Sequence, residues 1–94
     1  MTFLNKVEEK MRQLRIPFES IELSNRPDKR IKVVIDGNTI HFGSKHGFTF
    51  LDGASEETRN HYRARHSKLM LRDGRRAIDV KYSPAYLSWH VLWS

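Results

Sequence analysis

Asp36 and Gly37 form the strongest turn signal in the chain, because they separate two runs rich in β-branched residues. Residues 30–35 precede the turn Asp36-Gly37-Asn38, and residues 39–42 follow it. An Asp-Gly pair tolerates the positive φ angles of a tight hairpin turn, and β-branched side chains favour extended strands on either side. The sequence therefore predicts an antiparallel β-hairpin over residues 30–42.

Three further segments are predicted to be helices, and a capping side chain marks the start of each. These are residues 3–15 after Thr2, residues 55–71 from Ser55, and residues 84–92 after Ser83. Proline and glycine are residues that end helices, and Pro17 follows the first segment while Gly74 follows the second. The chain is thus predicted to contain an N-terminal, a central and a C-terminal helix.

Two segments outside the hairpin have weaker strand character. Residues 18–23 read as a weak strand or an extended linker, and residues 77–82 alternate well enough to predict a strand. The expected fold class is α+β. Its small antiparallel sheet comprises the hairpin 30–42 and strand 77–82, packed by helix 55–71 and C-terminal helix 84–92, with an N-terminal helix 3–15.

The chain is short enough to predict one domain over residues 1–94. Residues 30–93 are expected to form its compact core module and residues 1–16 a helical docking arm. Since there is no cysteine, neither a disulfide nor a cysteine-ligated zinc ion can stabilise this small core. Packing against a partner would therefore add to its stability. The helical stripe expected to dock consists of Leu4, Val7, Met11 and Leu14.

The formal charge of +6 is unevenly distributed along the sequence. Between residues 59 and 76 there is one acid, Asp73, among seven bases: Arg59, Arg63, Arg65, Lys68, Arg72, Arg75 and Arg76. Such a run predicts contact with nucleic acid or another anionic partner, and a solvated helix face followed by a basic loop is the alternative. Any nucleic-acid contact is expected to be directed at phosphates. No apolar run is long enough to cross a bilayer, so no membrane partner is expected.

Five histidines raise the question of a metal site. His61 and His66 point to different helix faces, and the loop pair His41 and His46 lacks any accompanying metal signature, so no metal or other cofactor is expected. The alternative is a metal-dependent nuclease in which His41, Asp52 and His66 hold a cation. The chain lacks the carboxylate clusters that usually bind magnesium, so no catalytic residue is assigned.

Aromatic and small polar residues also recur in three blocks. Tyr62, Phe48, Tyr86 and Trp89 would stack on bases if exposed, whereas the favoured alternative places Tyr62, Trp89, Leu92 and Trp93 in the core. His41 is expected to meet the Arg65-His66 pair where helix packs on sheet. We call the resulting set of structural polar contacts between helix and sheet the polar seam; its residues are His41, Tyr62, His66 and Ser88.

These blocks resemble a family of small uncharacterised proteins of large DNA viruses and tailed phages. The resemblance covers residues 30–93. It rests on the hairpin turn followed by a His-Phe-Gly, Arg-x-x-Tyr-x-x-x-His and Leu-Ser-x-x-x-Leu-Trp pattern. The matching residues are Asp36-Gly37, His41-Phe42-Gly43, Arg59, Tyr62, Arg65-His66, Leu87-Ser88 and Leu92-Trp93. The chain departs from it at residues 69–71, where the family tends to carry a tryptophan. The resemblance implies a viral origin and a related fold, without any chemistry.

Together these features predict a small, basic, non-enzymatic viral protein. We expect a minor structural component of the virion, part of a larger assembly, whose residues 59–76 contact DNA phosphates or an acidic protein surface. Its partners would be other virion proteins or a host protein, and its location the virion or the host cytoplasm. The nuclease and a host-directed inhibitor remain as alternatives.

Overall fold

The computed structural model describes residues 2–94, which form two compact units, one ending at Gly47 and the other spanning Phe48–Ser94. Within the described residues, the first unit contains α1 (Phe3–Gln13), β1 (Ser20–Leu23), β2 (Lys29–Ile35) and β3 (Asn38–Ser44). The second contains α2 (Glu56–His66), α3 (Pro84–Leu87), a π-helical segment (Ser88–Leu92) and 3₁₀ turns at Phe50–Asp52 and Ala77–Asp79. The fold class is α+β, as predicted.

The three strands form one antiparallel sheet in the order β1-β2-β3. The predicted hairpin is confirmed, with Ile31 opposite Phe42 and Val33 opposite Ile40. Asp36 and Gly37 both have positive φ, 50° and 77°, as the turn chemistry requires. The weak strand expected over residues 18–23 is the edge strand β1, and the amide of Gly37 donates to the Glu19 carboxylate at 2.9 Å.

The N-terminal helix is two residues shorter than predicted. Thr2 caps α1 by accepting from the Asn5 amide at 3.1 Å, and the helix ends before Arg15, which has a left-handed φ of 57°. α1 packs against β1. Of the stripe expected to dock, Val7 and Met11 are fully buried and Leu4 is half-buried, so Leu14 is its exposed member.

Helix α2 ends at His66, five residues before the predicted boundary at 71. The Ser67 hydroxyl donates to the Ala64 carbonyl at 3.0 Å, a local bond that competes with continuing the helix. The chain then turns back on itself, with Met70 bridged to Arg76 and Gly74 at a φ of 87°. Residues 69–71 are therefore an exposed loop arm rather than helix.

The strand predicted over residues 77–82 was wrong. Ala77–Asp79 is a 3₁₀ turn, closed by the Val80 amide donating to the Ala77 carbonyl at 3.3 Å. Arg76 also reaches forward to Asp79 at 2.8 Å, and Tyr82 has a φ of 63°, which no strand accommodates. Of the alternating residues Ile78, Val80 and Tyr82, only Ile78 is buried, and it lies in the turn. The third strand of the sheet is β1 instead.

The C-terminal helix keeps its predicted limits but changes type within them. Ser83 caps α3 through the Tyr86 amide at 3.1 Å, and from Ser88 the helix widens to the π form. The buried apolar side chains of the second unit are Tyr62, Ile78, Leu87, Val91 and Leu92. Among residues 2–94, no helix is both long enough and apolar enough to cross a membrane.

Candidate functional site

The seven basic residues between 59 and 76 differ in what they contact. Three lie within 4.0 Å of a carboxylate: Arg59 with Glu56 (3.6 Å), Arg75 with Asp73 (2.7 Å) and Arg76 with Asp79 (2.8 Å). The hydrogen bonds from the Arg75 backbone and side chain lower the pKa of Asp73. Since Glu56 and Asp79 lie outside the basic run, the sequence count overstated the charge that it presents.

A fourth cation, Arg63, is used inside the second unit. Its guanidinium carbon lies 4.1 Å from the centre of the Trp89 ring, and Nη1 donates to the Trp93 carbonyl at 3.1 Å. This geometry combines a cation–π contact with a charge-assisted hydrogen bond. Arg63 thus ties α2 to the C-terminal helical segment.

The remaining three bases are exposed, and none has a carboxylate within 4.0 Å anywhere in residues 2–94. Arg65 is on the last turn of α2, Lys68 follows three residues later, and Arg72 is in the loop beyond. The Lys68 amide donates to the Arg65 carbonyl at 3.3 Å, so the helical spacing continues between them and their side chains are neighbours. We call Arg65, Lys68 and Arg72 the unpaired cations.

Beside the first of these cations is a stack of three aromatic rings. The centre of the Tyr62 ring lies 3.9 Å from that of His66 and 4.3 Å from that of Trp93, with interplanar angles of 19° and 8°. Two near-parallel rings cannot share one face at these distances, so they cover opposite faces of Tyr62. Burial raises the pKa of Tyr62, opposed by a hydrogen bond with Ser88. We call His66, Tyr62 and Trp93 the aromatic stack.

The π-helical segment positions the last ring of this stack. The Trp93 amide donates to the Ser88 carbonyl, five residues back, at 3.1 Å. Such a wider turn rotates the following side chain relative to an α-helix, and π turns are frequent at functional sites. Trp89 is accordingly tilted by 42° to Tyr62 at 6.5 Å, while Trp93 is stacked upon it.

A shallow groove of about 470 Å³ runs along α2 next to the aromatic stack. It is lined by Thr58, His61, Tyr62, Ala64, Arg65 and Trp93. Five of these residues come from α2, and Trp93 comes from the C-terminal segment. The groove therefore combines aromatic rings with one of the unpaired cations.

The polar seam divides between the two units. Tyr62, His66 and Ser88 are together in the second unit, as described above. His41 is on β3 of the first unit, where its Nδ1 lies 2.8 Å from the buried Ser24 hydroxyl. Partial burial, and then the nearby charges of Arg26 and Lys32, lower the pKa of His41.

The residues of the nuclease hypothesis each have a local contact. The Asp52 carboxylate accepts from the Thr49 amide and from its hydroxyl, both at 2.8 Å, and so caps the first 3₁₀ turn. His66 is part of the aromatic stack, and burial followed by the charge of Arg65 lowers its pKa. Within residues 2–94, no three histidine or carboxylate side chains gather in a way that could hold a metal ion.

Sequence reasoning missed two features of this site. The two features are the π-helical turn and the stacking of Trp93 on Tyr62, and no sequence pattern indicated either. The contact between Tyr62 and His66, by contrast, was predictable from their four-residue spacing on a predicted helix. Trp89 and Trp93, which the favoured alternative placed in the core, are only half-buried, whereas Leu92 is buried. Of the exposed apolar side chains, Phe48 is 64% exposed and has no part in the groove.

Comparison with known proteins adds a family to this description. A "Family of unknown function (DUF5754)" matches residues 19–66, which span the whole sheet and α2. The uncharacterized protein L851 of Acanthamoeba polyphaga mimivirus is 36% identical over 93 residues, covering 94% of this chain and 93% of that protein. No solved structure matches the chain. The chain therefore belongs to DUF5754, a family of unknown function, and it has an uncharacterised relative in a mimivirus.

Proposed function

We propose that this protein is a non-enzymatic viral protein that contacts the phosphate backbone of nucleic acid through Arg65, Lys68 and Arg72. The observation that carries the proposal is the lack of any carboxylate partner for these three exposed bases within residues 2–94. A cation without an internal partner keeps its full attraction for an external anion, whereas a paired one must first break its ion pair.

The proposal assigns phosphate contacts to only three of the seven bases of residues 59–76. Arg59, Arg75 and Arg76 have carboxylate partners, and Arg63 is engaged by Trp89 and the Trp93 carbonyl. Phosphate contacts of this kind do not depend on base sequence and weaken steeply as salt is added. Binding of this kind is what a minor component of the virion would need if it lies against the packaged genome. Mass spectrometry of purified particles tests whether the protein is part of the virion.

The experiment compares two triple variants that both lower the formal net charge from +6 to +3. The test variant is Arg65→Gln/Lys68→Gln/Arg72→Gln. Its matched control, Arg15→Gln/Arg26→Gln/Lys45→Gln, removes three exposed bases from the first unit. Binding to a fluorescein-labelled DNA duplex is followed by anisotropy over a series of salt concentrations. The test variant should bind at least about tenfold more weakly, and its salt slope should be smaller by about 2–3, because each lost phosphate contact removes about 0.9.

Two results would overturn this proposal. Equal losses in both triple variants would mean that binding follows net charge and not these three positions. An unchanged affinity of the test variant would remove the unpaired cations from the interface. As a further check, polyglutamate should compete with DNA poorly; if it competes as well as unlabelled duplex does, an acidic protein surface becomes the better partner.

A further inference from the structure

We infer that the groove along α2 takes up an unpaired nucleobase, so that the preferred partner of this protein is single-stranded nucleic acid. This inference rests on the proposed function and adds to it the kind of strand that the surface selects. Its basis is that an aromatic groove and the unpaired cations meet at Arg65, which belongs to both.

The dimensions and lining of the groove suit a flat aromatic ligand. Its volume of about 470 Å³ lies within the range of small-molecule sites, about 300–1,000 Å³. His61, Tyr62 and Trp93 supply rings, and Ala64 supplies a side chain small enough to leave space beside them. Bases stack on such rings regardless of their sequence, because each has a π face.

The rings of the groove are not equally available. Both faces of Tyr62 are covered, by His66 and by Trp93, so Tyr62 offers only an edge. Trp93 has one ring face that Tyr62 does not cover, and His61 is exposed on α2. A base entering the groove would therefore stack on Trp93 or His61, while the aromatic stack holds Trp93 in a fixed orientation.

The cations set where the backbone of the strand would run. Arg65 lines the groove and Lys68 follows it by one helical turn, so phosphates next to a bound base would meet both charges. Bases within a duplex are paired and stacked, and cannot enter without being extruded. A purely phosphate-directed surface would instead favour the duplex, whose charge density is higher.

The test uses three labelled ligands of equal length: a 15-nucleotide oligo-dT, the same strand with abasic sites, and a 15-base-pair duplex. Anisotropy should show the oligo-dT bound more tightly than either of the others, by about 5- to 150-fold relative to the abasic strand. Ala64→Leu fills the groove from an exposed helical position with a residue that favours helices. It should lower oligo-dT affinity to that of the abasic strand.

Asn60→Leu is the matched control, because it adds the same side chain to an exposed position of α2 outside the groove lining. It should bind all three ligands as the unmodified protein does. The inference fails if the abasic strand binds as well as oligo-dT, or if Ala64→Leu has no effect on oligo-dT. The proposed function survives either result provided that Arg65→Gln/Lys68→Gln/Arg72→Gln still weakens duplex binding, so the two failures are distinguishable.

Discussion

Arg63 illustrates how residues of one type in one helix acquire opposite roles. The sequence grouped it with the other bases of residues 59–76 as an anion contact, yet it lies over Trp89 and donates to the Trp93 carbonyl. Arg65, two positions later and on another face of the helix, has no such partner among the described residues. Which of these bases is internal depends on where the C-terminal segment packs, and no local pattern around residue 63 encodes that.

Replacing Arg63 by Gln should lower the free energy of unfolding by about 1–3 kcal/mol, because it removes a cation–π contact and a charge-assisted hydrogen bond. Arg65→Gln makes the same chemical change two residues away at an exposed site and should alter it by no more than about 0.5 kcal/mol. Urea denaturation of both variants provides the measurement. Equal effects would mean that the Arg63 contacts contribute nothing to stability.

At the scale of secondary-structure elements, the correct predictions are those for segments whose own residues determine the backbone angles. The hairpin was predictable because Asp36 and Gly37 adopt the backbone angles that their side chains permit, whatever packs around them. The end of α2 at His66 and the turn at Ala77–Asp79 depend on specific contacts, such as the bond from Arg76 to Asp79. Hydrophobic spacing carries no information about such contacts, so the helix was extended and a strand was placed where the chain turns.

Gly37→Ala tests the turn directly. Alanine at a φ of 77° should cost about 1–2 kcal/mol of unfolding free energy, while the site itself is open, with no atom within 4 Å of an added Cβ. The effect would thus come from backbone strain and not from a steric clash. Asn25→Ala, at an exposed position between β1 and β2, is the control and should stay within about 0.5 kcal/mol. A neutral Gly37→Ala in urea denaturation would contradict the assigned turn conformation.

At the scale of the whole molecule, charge is shared more evenly than the sequence count suggests. The first unit carries nine bases and six acids and the second eight bases and five acids, so each has a net charge of +3. The excess assigned to residues 59–76 is offset within the second unit by Asp52, Glu56, Glu57 and Asp79. The turn and capping patterns predicted the fold class and the composition predicted the basic character, but only the ion pairs show which bases have no carboxylate partner.

Stability should also depend on pH through the histidines. Burial is the first cause that lowers the pKa of His41, His66 and His90 below the ordinary value of 6.5. The unfolded chain therefore binds more protons than the folded protein as pH falls through 6.5, and the free energy of unfolding decreases. Urea denaturation should give a lower value at pH 5.5 than at pH 7.5, over roughly the range in which histidine titrates.

His66→Gln should reduce this pH dependence, because it removes one of the three groups responsible. Asn60→Gln, which changes an exposed side chain of the same helix that carries no titratable group, is the control and should leave the difference between pH 7.5 and 5.5 as it is in the unmodified protein. Greater stability at pH 5.5 than at pH 7.5 would reverse the sign and contradict the assigned shifts.

The position of the aromatic stack has a practical consequence for following how the chain unfolds. Both tryptophans, Trp89 and Trp93, belong to the second unit, and the first unit has none. Intrinsic tryptophan fluorescence therefore reports on the second unit alone, whereas the far-ultraviolet β-sheet signal comes from the sheet of the first. Two optical probes of the unlabelled protein thus monitor the two units separately, and coincident or separate transitions reveal whether they unfold as one cooperative system.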